Sequence, residues 1–219
     1  MITLISLLAT ASPLPAELAE ALDSPEDPTL PVYEAVYHAE DIEVVATVDP
    51  SRSEGQRINV LSPDREDWPE DFDEALAGFD AESDGDIWCD TMNDMIGGDV
   101  QEQARAEGAI TYHFRLAVDD PEDKADKAFA KAAHGEIDIA RADGSNWKVS
   151  SIRIILDKPF KPAFIAKITE MDIDISCAAA PNGRMYQAAT STRVKGSAFG
   201  KRFEESETIL LRDVSFPSQ

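Results

Sequence analysis

The chemistry this chain could perform is concentrated in the carboxylates of Phe79–Thr91, FDAESDGDIWCDT. Counted from Asp80, the spacing offers side-chain oxygens from Asp80, Glu82 and Asp84. Gly85 then supplies a sharp turn, Asp86 a backbone carbonyl and Ile87 an apolar anchor. Oxygens at that spacing suit calcium, a hard cation that takes about six to eight of them. The final position calls for a bidentate glutamate but holds Thr91, with Asp90 one place early. Losing that carboxylate removes much of the affinity. Acidic loops are also common in a chain with 43 Asp and Glu. A solvated acidic loop therefore competes with a calcium-responsive module using Asp80, Glu82, Asp84 and Asp86.

Other constellations are sparse. His38, His113 and His134 fall in no short, repeated metal-ligand spacing, so exposed or internally satisfied histidines are expected. No Gly-x-Ser-x-Gly elbow, phosphate-binding glycine loop or dinucleotide fingerprint occurs. A non-enzymatic protein is the expectation. Cys89 and Cys177 are the two cysteines. In an oxidising compartment they would pair and tie the middle of the chain to a strand far along it; in a reducing one they would be two buried thiols. Aromatic residues in phase with the buried side of the strands form the last set: Tyr33, Tyr37, Phe114, Trp147, Phe160, Phe164 and Tyr186. They would either fill an ordinary core or line a pocket for an apolar or lipid-like ligand.

The elements that must position these residues are mostly strands. In Lys167–Cys177, KITEMDIDISC, the apolar Met171, Ile173, Ile175 and Cys177 alternate with Glu170, Asp172, Asp174 and Ser176. A period of two puts one set on a core and the other in water. Ile110–Val118 repeats that alternation. Gly135–Ala142 and Trp147–Leu156 read as a hairpin turned at Asp143-Gly144. Tyr33–Ala39 and Ile42–Val48 form an earlier pair, followed by a strand at Gln56–Leu61. Helices are expected at Pro69–Phe79 and Ile87–Ile96, with Gly97-Gly98 as the stop. Asp120–Ala133 is a helix or a charged loop. Pro159 to Pro162 marks a bend. Arg184–Lys195 and a last pair, Gly196–Phe203 and Glu207–Ser215, complete a meander of about six strands. The fold class is mainly β (α+β), a curved antiparallel sheet or half-barrel with a helical insert or lid.

Composition narrows the partners. With 20 Lys and Arg against 43 Asp and Glu, the formal net charge is −23. That field repels a phosphate backbone, so nucleic acid is not an expected partner, and it opposes anionic lipid headgroups as well. Residues 1–16 read as a signal peptide with a short apolar stretch at Ile2–Ala11, although no basic residue precedes it. An amphipathic helix over Leu14–Leu22 is the alternative. Residues 17–31 would be a Pro-rich acidic spacer, and 32–216 one β-rich domain with a helical insert at 66–98. No later stretch reaches the roughly 20 apolar residues of a transmembrane helix.

The run from Val48 to Ser62, VDPSRSEGQRINVLS, resembles a DPS-x-x-x-G-x-R-x-x-x-L segment in uncharacterised exported proteins of Gram-negative bacteria. There it follows a first strand pair and precedes a helical insert, and a meander with a Pro-Phe-x-Pro bend and an Asn/Asp-Gly turn comes after. That order is similar to the lipoprotein-carrier (LolA/LolB-like) half-barrel, an open antiparallel sheet over a helical lid. The resemblance implies an apolar cavity for acyl chains and assigns no individual ligand residue. The expectation is therefore a periplasmic or secreted β-rich protein binding an apolar or lipid-like ligand. The alternatives are an envelope structural or protein-docking module without a cavity, and the calcium-responsive module.

Overall fold

The computed structural model describes residues 13–23, 29–40, 42–68, 72–118, 122–141 and 145–216. The period-two stretches pair into one antiparallel sheet of eleven strands. These are β1 (Val32–Ala39), β2 (Ile42–Val48), β3 (Ile58–Ser62), β4 (Ile96–Ala106), β5 (Ala109–Leu116), β6 (Ala133–Ala140), β7 (Lys148–Leu156), β8 (Phe160–Ala163), β9 (Ala166–Ala179), β10 (Met185–Ala198) and β11 (Lys201–Ser215). Their order is β3-β2-β1-β11-β10-β9-β7-β6-β5-β4, with the short β8 on β9. The sheet is curved and does not close into a barrel, as the fold class expected. The pairing of β1 with β11 returns the N-terminal hairpin to the C-terminal strand, with Tyr37 opposite Ile209.

Alternation decides which face becomes core. Along β5, Ile110, Tyr112, Phe114 and Leu116 are buried, and Ile137 and Ile139 of β6 join them with Val149, Ile152 and Ile154 of β7. Against this face packs α1 (Ala16–Leu22). Its sequence AELAEAL is made of strong helix formers, and Glu17 in the first turn suits the positive end of the helix dipole. Leu18 is fully buried and Ala21 nearly so, the i and i+3 positions of one face. Burying a leucine contributes about 2 kcal/mol. Leu18 and Ala21, within the stretch 17–31 expected as a spacer, thus join the main core, and residues 24–28 lie outside the described residues. Ile2–Ala11 lies outside the described residues.

A second cluster forms under the β1–β2–β11 end from Tyr33, Val48, Val214 and Ala180. It is covered by Ile87 and Trp88, from the stretch between α2 (Phe72–Glu82) and a 3-10 helix at Cys89–Met95.

Several boundaries differ from expectation for local reasons. Ile87–Ile96 is not an α-helix: Trp88 makes a β-bridge to Tyr186, and a 3-10 helix follows. Gly97-Gly98 does not stop a helix but lies inside β4. The backbone of Leu116 approaches Gly97 so closely that a Cβ there would lie 2.4 Å from its carbonyl oxygen. β4 carries little alternation in DVQEQARA, and its existence depends on pairing with β5. Gly196 likewise interrupts nothing, since β10 runs to Ala198 with the Phe203 ring of β11 against that glycine. The region expected to bend at Pro159–Pro162 contributes β8, and Asp120–Ala133 yields α3 (Lys124–Ala130). The Asp143-Gly144 turn lies outside the described residues.

Candidate functional site

The segment from Asp80 to Met95 is fastened to the sheet at several points, and these decide what its carboxylates can do. Asp80, at the end of α2, is buried and accepts three backbone hydrogen bonds. The amides of Arg57 and Ile58 donate to its Oδ2 at 2.8 and 2.9 Å, and that of Gly55 donates to Oδ1. Arg57 returns the contact by donating from Nη1 to the carbonyls of Asp80 and Ala81, each at 3.2 Å. Gly55 has a φ of 82°, a left-handed conformation that glycine adopts readily and that lets this loop turn. Asp49 organises the other half of the loop, accepting from the Ser51 hydroxyl at 2.5 Å and the Arg52 guanidinium at 2.9 Å. The Asp49–Arg57 motif is therefore a self-bonded loop that seats a buried carboxylate.

These contacts engage the carboxylates of the expected calcium loop: both Asp80 oxygens accept from amides, Asp84 accepts from the amide of Asp86, and Asp86 accepts from the Thr91 hydroxyl. Among the described residues no group of three or more His, Cys, Asp or Glu is placed to hold a metal ion. The side chain of Glu82 lies outside the description. Sequence spacing missed that a buried carboxylate can serve backbone donors as well as a cation.

Beyond this loop the chain is clamped to β9 and β10. Cys89 and Cys177 form a disulfide across 88 positions. Closing a loop of that length stabilises by about 4–5 kcal/mol in the chain-entropy model. The amide of Gln187 donates to the Ile87 carbonyl at 2.9 Å. The Trp88 ring has two partners, the near-parallel Phe216 ring at 6.2 Å and the Arg184 guanidinium at 4.2 Å.

The aromatic residues expected to surround one ligand do not converge. Phe114 and Trp147 are buried in the main core, and the Phe114 ring lies over Gly135 on the facing strand. Trp147 is covered by α1, where the Glu20 carboxylate accepts its amide at 3.4 Å, and by the Arg141 guanidinium at 4.5 Å. Tyr33 and Tyr186 belong to the second cluster. Burial, with the Asp84 charge second, pushes the Tyr33 hydroxyl up to about 12. Tyr37 is half-buried on the sheet and donates to Glu207 at 3.1 Å. Phe160 packs on Phe129 at 5.6 Å, and Phe164 is fully exposed. Trp147 and Phe164 lie outside the strands, before β7 and in the turn between β8 and β9, so the seven do not share one strand phase.

One arrangement went unanticipated. The β5–β6 register sets Arg115 opposite His134 and His113 opposite Glu136. It brings the His113 and His134 rings to 4.2 Å, with Asp157 at 2.7 Å from His134 Nδ1. They border a solvent-open hollow of about 500 Å³ shared with Asp99, Gln101 and Lys131. Among the described residues no serine or cysteine lines it. Residues 21 positions apart give no hint of such a pair until strand register is known.

Comparison with known proteins finds no matching family model, no matching curated protein and no matching solved structure.

Proposed function

We propose that this chain is a non-enzymatic docking module of the bacterial cell envelope, acting through its surface and not through an internal ligand cavity. One observation carries this reading: the apolar face of β5, β6 and β7 is packed into the main core under α1. Leu18 of α1 and Trp147 occupy it at 0 and 6% exposure, and the seven inner-phase aromatics separate into core, second cluster and surface. A carrier of acyl chains needs a continuous apolar chamber, and ligand pockets of that kind enclose most of their ligand. An exported location is supported by the Cys89–Cys177 disulfide, because such bridges persist in oxidising compartments.

Native mass spectrometry of the non-reduced protein, purified without detergent from a bacterial periplasm, tests this reading. A bare chain two hydrogens lighter than the dithiol form is the expected result. A stoichiometric adduct of lipid mass would overturn the docking reading in favour of a carrier.

A further inference from the structure

Two hairpin tips lie side by side at one end of the sheet. Residues 164–165 turn β8 into β9, and residues 199–200 turn β10 into β11. The Ala198–Ala166 pair places the tips on adjacent strands, and the amide of Phe199 donates to the Ile165 carbonyl at 3.0 Å, joining one turn to the other. The side chains carried there are apolar and in water: Phe164 is 100% exposed, Phe199 78% and Ile165 47%. Phe199 has a φ of 51°, a left-handed conformation that favours glycine or asparagine in a two-residue hairpin. A phenylalanine held in that conformation and left in solvent gains nothing from packing.

Charge around the tips runs against the rest of the chain. Residues 158–169 and 195–203 contain no Asp or Glu. Exposed Lys158, Lys161 and Lys167 flank the first tip, and exposed Lys201 and Arg202 follow the second. Along β11 the carboxylates begin at Glu204, three residues and about 10 Å beyond Lys201 at the usual strand rise. Glu204 and Glu170 both pair with Lys195. At physiological salt, charge is screened over about 8 Å, so the tips present a cationic surface although the chain is strongly acidic. The neighbouring α3 adds Lys124 and Lys127 against Asp126 and the N-cap Asp123, which leaves that balance unchanged.

Exposed aromatics at the summit of two tied hairpins, ringed by lysine and arginine, match the layering of a membrane surface. Apolar side chains reach the acyl boundary while cations meet phosphates. We propose that this end docks the protein on a bilayer containing anionic phospholipid, with Phe164, Ile165 and Phe199 as the inserted residues. The inference rests on the docking reading and names its partner.

Flotation of the full, disulfide-bonded chain with vesicles tests it. Phosphatidylcholine vesicles with about 30% phosphatidylglycerol should carry the protein at low salt and release it as salt rises, and phosphatidylcholine alone should carry little. Phe164→Ser with Phe199→Ser, and separately Lys161→Gln with Lys167→Gln and Lys201→Gln, should each weaken flotation roughly tenfold. Phe199→Gly removes the ring while relaxing the backbone, so weaker binding by a variant that melts no lower than the parent cannot come from unfolding. The proposal is overturned if anionic vesicles carry no protein, as for a partner that is an acidic protein, or if tip variants float like the parent. Such a failure leaves the bare native mass, and hence the docking reading, untouched.

Discussion

Arg184 donates to Asp90 at 2.6 Å, and each of the two side chains is only 10% exposed. The same guanidinium covers the Trp88 ring, so one ion pair connects the 3-10 segment, the start of β10 and the second apolar cluster. Removing one partner of a buried pair strands the other charge, at a cost of about 3–5 kcal/mol. Asp90→Ala should therefore lower unfolding stability by that order in urea titration. The double variant Asp90→Leu, Arg184→Met should recover a good part of the loss, because it strands no charge.

Asp80 offers a second test, on the boundary between metal chemistry and architecture. Asp80→Ala leaves the amides of Gly55, Arg57 and Ile58 without their acceptor, and a buried group left unpaired costs about 1–3 kcal/mol. The expected outcome is a lower melting temperature together with faster amide exchange at residues 55–58. Calcium added to the parent chain should leave its melting temperature unchanged. A concentration-dependent rise would instead mean that calcium binds the folded state.

The Phe114 ring occupies the space where Gly135 would carry a Cβ, which would lie 2.1 Å from the ring's Cζ. Gly135→Ala should destabilise by about 1–3 kcal/mol, the usual cost of overpacking a core. Phe114→Leu in the same chain should relieve part of it, and a double-mutant cycle reads that coupling.

The Tyr33 hydroxyl titrates at about 12, above the 10 of a free tyrosine, because burial and then Asp84 oppose its ionised form. A raised folded-state value means that its contribution to stability is fully present below pH 10 and is lost as pH climbs toward 12. The span of two pH units corresponds to about 3 kcal/mol at most. Tyr33→Phe should flatten the alkaline limb of the stability profile across pH 10–12, leaving the neutral region little altered.

The strands whose side chains alternate were legible in the sequence because alternation is itself the burial pattern. In β9, Ile175 is buried and Asp172, Asp174 and Ser176 are exposed, as their phase requires. β4 was not legible, because Gln101 to Ala106 are exposed on both faces and only the register on β5 holds them. Gly97 and Gly196 looked like breaks, since a glycine's tolerance of a close neighbour is visible only once the neighbour is in place.

By itself the sequence determined a mainly β chain, its acidic balance and two cysteines free to pair, because composition and period-two patterning act locally along the chain. Only the tertiary structure decided the partners. It gave Asp80 three amide donors, brought His113 beside His134, and set Leu18 and Ala21 of α1 in the core. It also separated the inner-phase aromatics and gathered Phe164, Ile165 and Phe199 at one end. Each of these is a contact across many residues, set by strand register and by what covers each face. A linear pattern states which side of a strand a residue takes but not what it meets there.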